Sequence, residues 1–250
     1  MTIWPVVPAA GVGSRMQADR PKQYLTIAGR LLMDYTLSAL LSHPHVHQLI
    51  LVLSDEDEYW PDSDFYRDER ILLASGGAER SDSVLNGLQR LSALASEEDW
   101  VLVHDVARPC LTHEDIDALL SQRQRPGAIL ASPTRDTMKR GKLDESGNVC
   151  IEHTVEREQL WHALTPQMFP LGLLKQALAH CQQQDIPVTD EASALEALGH
   201  SPRLIAGRAD NIKVTRPEDL ALAELFLQQA QANRPACPSE RKNDENWTRF

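Results

Sequence analysis

Residues 49–53 read Leu49-Ile50-Leu51-Val52-Leu53, five apolar side chains in succession with no polar break. A half-buried strand alternates apolar with polar residues, so an unbroken run of this length is what a strand covered on both faces requires. Shorter or similar runs flank it at Ile3 to Pro8, Arg70 to Ala74, Trp100 to His104 and Ala128 to Ser132. Between them the apolar residues take helical spacing. Leu31 to Leu41 forms one such stretch and stops near His43-Pro44, where proline blocks continuation. Ser83 to Leu94 forms another, with Val84, Leu85, Leu88, Leu91 and Leu94 on one side. Thr112 is placed to cap a third. Strands alternating with helices predict an α/β fold, a doubly wound, mostly parallel, Rossmann-like sheet. Ligands of such sheets sit beyond the carboxyl ends of the strands, which singles out Ala9 to Lys22, Gly76 to Ser83 and Asp105 to Pro109.

Thr134 to Leu160 breaks the alternation. It is polar and charged, with Asp144-Glu145-Ser146-Gly147-Asn148 as the turn between two extended segments, and reads as a protruding hairpin arm that needs a partner surface. Helices are expected at Leu171 to Cys181 and Asp190 to Leu198, then a short strand near Leu204. Pro217 opens a last helix reaching about Ala230, with Glu218 and Asp219 in its first turn. Residues 233–250 are polar and without periodicity, and read as a disordered tail. The expected organisation is one domain over residues 1–232.

Composition excludes several classes. Of 250 residues, 42% are hydrophobic, enough for a sizeable core. Lys and Arg number 25 against 36 Asp and Glu, a net charge of -11, which is wrong for a protein that wraps nucleic acid. No apolar run is long enough to span a bilayer, and the N-terminus lacks a secretion-signal pattern, so a cytoplasmic protein is expected. Cys110, Cys150, Cys181 and Cys237 make no C-x-x-C pair, which leaves neither a structural zinc site nor a disulfide framework.

The loop after the first strand carries the chemistry. Gly11-Val12-Gly13-Ser14-Arg15-Met16 puts Met where a dinucleotide fingerprint needs its third glycine, and no G-K-[ST] follows as a Walker loop requires. What remains is a run of small residues, Ala9 to Ser14, that lets backbone N–H groups approach phosphate, followed by the cations Arg15 and Lys22. Two cations at a phosphate cradle serve a triphosphate whose charge shifts during reaction.

That loop has company. Pro8 to Met16 with Pro21-Lys22-Gln23-Tyr24 resembles the signature of the 2-C-methyl-D-erythritol 4-phosphate cytidylyltransferases. The resemblance continues through Gly76-Gly77, Arg80, Asp82-Ser83-Val84, Val103-His104-Asp105 and Ala107-Arg108-Pro109. It extends to Arg135 to Lys139, His153-Thr154-Val155, Leu164-Thr165-Pro166-Gln167, Thr189-Asp190-Glu191 and Asn211 to Thr215, so that it covers roughly residues 3 to 230 in order. It implies attack of the sugar-alcohol phosphate on the α-phosphorus of CTP, giving 4-diphosphocytidyl-2-C-methyl-D-erythritol and pyrophosphate in non-mevalonate isoprenoid biosynthesis. A phosphate monoester has its second pKa near about 6, so the attacking oxygen is largely ionised at neutral pH and no general base is needed. The task left is charge neutralisation and in-line positioning.

By resemblance, Arg15 and Lys22 stabilise the α-phosphate in the transition state, and Arg157 and Lys213 hold the incoming phosphate. The family places the arm of one subunit over its neighbour's site, which implies a homodimer with Arg157 and Thr165 acting in trans. Thr137, Thr189 and Arg108 are further substrate contacts. Asp105 serves Mg2+ or a substrate hydroxyl, with Asp210 as a second metal-side carboxylate; Mg2+ suits few carboxylates plus triphosphate oxygens. Pro8, Ala9, Ala10, Gly11 and Gly13 line the nucleotide, and Gly76, Gly77, Ala78 and Ser83 fall where the family reads cytosine through main-chain groups. Position 78 is Ala where a polar or acidic residue is expected, which matters only if a side chain reads the base. His104, at a strand end, reads as a packed, hydrogen-bonded residue. Two rival readings are a cytidylyltransferase for another polyol phosphate, such as ribitol 5-phosphate, and a catalytically silent nucleotide-binding protein.

Overall fold

The computed structural model describes residues 2–11 and 20–232. The first half of the chain holds β1 (Ile3–Pro8), β2 (Thr26–Ile27), β3 (Arg30–Leu31), α1 (Leu32–Leu41), β4 (Leu49–Leu53), β5 (Ile71–Ser75), α2 (Arg80–Leu91), β6 (Trp100–Val103) and α3 (His113–Ser121). The second half holds β7 (Ala128–Pro133), β8 (Met138–Leu143), β9 (Val149–Val155), β10 (Trp161–Pro170), α4 (Leu171–Gln183), α5 (Glu191–Ala197), β11 (Arg203–Ala206) and α6 (Pro217–Ala232). Seven strands form one sheet in the order β11-β7-β10-β6-β1-β4-β5. All its pairs are parallel except those of β10, which runs antiparallel to both β6 and β7.

The unbroken apolar run is explained by its place. Leu49, Leu51 and Leu53 pack on one face of the sheet with Met33, Leu37 and Leu40 of α1 and Ile116 and Leu119 of α3. Ile50 and Val52 pack on the other with α2, α4 and α5, through Val84, Leu88, Leu174 and Leu195 among others. Each such side chain contributes about 1.5–3 kcal/mol on full burial, so any slip that exposed one face would be costly. A smaller cluster seats Ala223 of α6 against Ile27, Leu32, Ala107 and Val214.

Helix α2 approaches the sheet closely at Gly87, where an added Cβ would lie 2.7 Å from Val6 Cγ1 and 3.0 Å from Val52 Cγ2. Both valines are fully buried and β-branched, with little room to turn. Gly87→Ala is therefore expected to destabilise the fold by about 1–3 kcal/mol despite alanine's better helix propensity, as read by urea denaturation. An unchanged or raised midpoint would show that α2 can lift away freely.

Helix ends follow local chemistry. Thr112 caps α3, its hydroxyl accepting from the Asp115 N–H while Asp115 reaches back to the Thr112 N–H. Helix α2 begins at Arg80 rather than at Ser83, because Glu79 and Asp82 form its capping box three residues earlier than apolar spacing alone indicates. The arm is a two-stranded hairpin of β8 and β9, closed at its base by the Thr134 N–H donating to Leu160 O at 2.9 Å. Asp144 makes its tip, its carboxylate accepting from the N–H groups of Ser146 and Asn148, with Gly147 at φ +81. Strand β10, like the two-residue strands β2 and β3, has no sequence forecast, and Leu164-Thr165-Pro166-Gln167 falls mid-strand. The register shifts between Ala163 and Gln167, and such an irregularity is where proline's missing N–H can be tolerated.

Candidate active site

Strands β1 and β6 are neighbours from which the chain leaves in opposite directions across the sheet, and the cavity lies beyond their carboxyl ends. Pro8, Ala9, Ala10 and Gly11 supply one wall from the loop after β1. Gly77, Ala78 and Ser83 supply the second from the β5–α2 turn. Asp105 enters from the loop after β6, and Lys22 and Lys213 close the remaining side. Gln23, Glu79, Arg80, Val106 and Ala107 also line it, and none of these five was singled out as a site residue by sequence. Gly13 and Arg15 lie outside the described residues, as does the 233–250 tail.

The glycines make the second wall thin. A Cβ on Gly76 would fall 2.4 Å from Ala10 Cβ, and one on Gly77 would fall 2.2 Å from Asp82 Cβ. Only glycine lets the β5–α2 turn lie against both the first loop and the helix start. Gly76 itself stands behind the cavity wall, its N–H donating to Leu53 O at 2.6 Å. The Gly77 N–H donates to Ser83 Oγ at 3.0 Å, and that hydroxyl donates on to Glu79 O. On the first loop the buried Gln23 side chain donates to Ala9 O at 2.6 Å, joining the two described ends of the loop that carries the glycines.

Charge is concentrated around one carboxylate. Asp105 Oδ1 accepts from Arg80 Nε at 2.9 Å, and Oδ2 lies 2.8 Å from Lys213 Nζ and 3.7 Å from Arg108 Nε. Burial works against the charge on Asp105, but Arg80, Lys213 and Arg108 outweigh it and hold the carboxyl far below the usual range. Arg80 extends the network, its two terminal nitrogens reaching Glu191 at 2.6 and 3.2 Å. Burial opposes the Arg80 charge as well, and Glu191 and Asp105 overcome it. Lys22 Nζ donates to Val214 O at 3.3 Å, so the lysine after the first loop and the lysine before Val214 approach the cavity from adjoining backbone. In an acidic chain this gathers Lys22, Arg80, Arg108 and Lys213 around Asp105 and Glu191, with Glu79 on the wall.

The remaining candidates stand elsewhere. Arg108 is buried behind the cavity, its Nη1 donating to Asn211 O at 2.7 Å. Burial lowers its pKa, partly offset by Asp105. Thr165 is buried in β10 beneath Asp105, its hydroxyl accepting from the Asp105 N–H. Thr137 and Arg157 are exposed on the arm, where Arg157 Nη1 donates to Arg135 O, and Thr189 is exposed before α5. Asp210 opens on a different cavity, between α1, α3 and α6, and is held by Arg208. Both oxygens of Asp105 are engaged by cations, so Asp105 and Asp210 do not compose a protein-held metal site. Among the described residues no cluster of three or more His, Cys, Asp and Glu side chains could hold an ion.

A doubly wound sheet with a glycine-walled, cation-rich cavity at its switch point suits a polyanion, as in α/β nucleotide-binding enzymes. The sequence profile of one such family, 2-C-methyl-D-erythritol 4-phosphate cytidylyltransferase, matches residues 3–229. A protein of that name from Vibrio atlanticus is 54% identical over 228 residues, covering 90% of this chain and 94% of its own. Another from Photorhabdus laumondii is 52% identical over 230 residues, covering 89% and 93%. The crystal structure of the Francisella tularensis protein of the same name superposes with a TM-score of 0.77 at 32% identity, covering 90% of this chain and 100% of that one. The chain belongs to the 2-C-methyl-D-erythritol 4-phosphate cytidylyltransferase family.

Proposed function

We infer that this chain transfers the cytidylyl group of CTP to 2-C-methyl-D-erythritol 4-phosphate, a step of non-mevalonate isoprenoid biosynthesis. Family membership supports the reaction, and the Lys22, Lys213 and Arg80 cations around Asp105 support its chemistry. An oxygen of the substrate phosphate forms a bond to the α-phosphorus of CTP. The bond from that phosphorus to the β-phosphate bridging oxygen breaks, and pyrophosphate leaves with the electron pair. The nucleophile is already ionised, so the chain's work is to bring a dianion to a polyanion.

In this reading Lys22 meets the charge that builds on the α-phosphate, joined by Arg15 from the first loop. Lys213, held by Asp105, receives the incoming phosphate. The cytosine lies against the main chain of Gly77 and Ala78, which line the cavity, where fixed donors and acceptors discriminate a pyrimidine from a purine. Magnesium bound to CTP would neutralise part of the triphosphate charge.

A homodimer belongs to the same reading. Among the described residues strands β8 and β9 pair only with each other, and they leave Leu143, Val149 and Ile151 71%, 77% and 66% exposed. Three large apolar side chains on a two-stranded ribbon are what a partner surface would cover. A second subunit's arm there brings Arg157, Thr137 and their neighbours within reach of the other site. Val149→Glu with Ile151→Glu is expected to convert the dimer to monomer in light scattering, with most activity lost. A dimer that persists at full activity would remove the arm from the assembly. Among the described residues Cys110, Cys150 and Cys181 are free thiols, which suits a reducing compartment such as the cytoplasm.

The test is pyrophosphate release with purified protein, Mg2+, CTP and 2-C-methyl-D-erythritol 4-phosphate, run beside ribitol 5-phosphate and the other nucleoside triphosphates. Release confined to the first pair is the expected result. Turnover with ribitol 5-phosphate alone would transfer the mechanism to another polyol.

A further inference from the structure

Lys22, Gln23 and Tyr24 form a single turn of 3₁₀ helix at the end of the first loop, entered from Pro21. A turn of this kind has three residues, so its side chains leave about 120° apart. Each of the three finds its own anchor. Lys22 Nζ donates to Val214 O at 3.3 Å, and Gln23 Nε2 donates to Ala9 O at 2.6 Å. The Tyr24 hydroxyl donates to the Asp57 carboxylate, 2.9 Å from each oxygen.

The third anchor stands apart from the site. Tyr24 is fully buried, and among the described residues neither it nor Asp57 lines the cavity. Burial, then the hydrogen bond and charge of Asp57, push the Tyr24 phenol far above its usual range, so at neutral pH the hydroxyl keeps its proton and is the donor. Asp57 is itself fixed, its Oδ1 accepting from the N–H groups of Tyr59 and Trp60, both at 3.0 Å. Trp60 is buried in the same core as Leu49, Leu51 and Leu53 of β4. The Tyr59 ring lies 5.4 Å from the Tyr24 ring and carries the Arg20 guanidinium 5.5 Å from its centroid. Residues 57–60 therefore hold the chain on both sides of Lys22, at Arg20 and at Tyr24.

We propose that Tyr24 and Asp57 are positioning residues for the reaction: their hydrogen bond ties the Lys22 turn to the segment after β4, and so sets where the Lys22 ammonium stands in the cavity. The inference rests on the proposed reaction for its kinetic test and on the hydrogen bond alone for its exchange test. Because both side chains stand outside the cavity, their effect on the reaction passes through Lys22. Position matters here because catalysis is arrangement of charge, and displacement of a charged group by about 1 Å costs up to about 10²-fold in rate.

Tyr24→Phe removes the hydroxyl and keeps the ring. It is expected to lower kcat about 10-fold, with the Kd for CTP within about 3-fold, because the charge it places is used in the transition state. In Lys22→Ala protein the same substitution should change kcat by less than about 2-fold, since the group it places is gone. A merely structural role would carry the full loss of about 10-fold into the Lys22→Ala background. That outcome, or wild-type kcat in Tyr24→Phe, would overturn the proposal. Where Tyr24→Phe does not fold, Asp57→Ala, at a partly exposed position, runs the same cycle against Lys22→Ala with the same two outcomes.

The second readout needs no turnover. The Tyr24 and Leu25 N–H groups close this turn on Pro21 O and Lys22 O, at 2.9 and 3.1 Å. In Tyr24→Phe their hydrogen–deuterium exchange should quicken by a larger factor than that of the amides of β4, because the turn is released locally. Equal factors in the turn and in β4 would mean that only global stability fell, and would sink the proposal. Wild-type protein that fails to release pyrophosphate while Tyr24→Phe shows the local contrast would discard the reaction and keep the anchor.

Discussion

Lys22→Ala lowers kcat by about 10²–10³-fold while the Kd for CTP rises less than about 10-fold. The asymmetry follows from when the charge is needed. CTP in the ground state spreads its charge over three phosphates. As the nucleophile closes, a fifth oxygen crowds the α-phosphorus and negative charge accumulates there. Lys22 stands at the end of the first loop, a half-buried side chain in the cavity lining, its ammonium donating to Val214 O at 3.3 Å. That bond holds the side chain in the lining of the cavity that Lys213 shares. Lys22→Arg recovers only part of the loss, since a planar fork does not reproduce the compact charge of an ammonium. Single-turnover kinetics with calorimetric CTP binding separates the two effects. Wild-type turnover in Lys22→Ala would remove the residue from the reaction, and a Kd risen in step with the rate loss would make it a binding residue only.

The core of this fold is legible because its signals are redundant. Leu49 to Leu53 reads as a doubly buried strand from composition, length and the absence of polar breaks, and the structure splits those five residues between two cores. Thr112 was readable as a cap because a side-chain oxygen at a helix start has one strong use. Strand β10 was hidden for opposite reasons. Its Thr165-Pro166 step has the chemistry of a turn, and its first residues, Trp161-His162-Ala163, lack alternation. Only pairing to β6 and β7 makes it a strand, and pairing is a tertiary fact. The two-residue strands β2 and β3 escaped for a related reason. Their turn uses Ala28 at φ 49 before Gly29 at φ 79, where an Asn-Gly pair would have announced a hairpin.

The site divides along a similar line. Residues on loops at strand ends, such as Pro8 to Gly11, Gly77 and Asp105, could be located from the fold pattern, because the sheet dictates where its carboxyl ends point. Lys213 could not; it follows β11 by several residues of irregular chain, and only the resemblance singled it out. Arg80 and Glu191 were quoted within family segments without a role. Their bond joins the first turns of α2 and α5, more than a hundred residues apart, and no local periodicity records it. A signal was nonetheless present: a cation immediately after a glycine turn at a strand end, and a glutamate behind the capping residue Asp190.

Asp105→Asn separates the two roles of the carboxylate. At neutral pH it leaves Arg108 and Lys213 without their anionic partner and Arg80 with Glu191 alone. Removing one member of a buried ionic cluster costs about 3–5 kcal/mol, and the low exposure of Asp105 and Arg108 puts this cluster in that class. The acid limb gives the sign. The folded carboxyl titrates far below its unfolded counterpart, near about 3.9, so its stabilisation is complete above that value and lost progressively as pH falls beneath it. Wild-type stability should therefore decline between neutral pH and pH about 3 more steeply than that of Asp105→Asn, which has no such proton to take up. Activity should move the other way from nucleotide affinity. The variant cavity carries one more net positive charge, which favours a polyanion, so CTP is expected to bind at least as tightly as in wild type. Turnover should still fall by about 10²-fold, because Lys213 loses the anchor that aims it at the incoming phosphate. Urea denaturation across pH, with CTP titration and turnover on the same preparations, reads all three. Parallel acid limbs would mean that Asp105 is not held in its ionised form by these cations, and weaker CTP binding would mean that the carboxylate contacts the nucleotide itself.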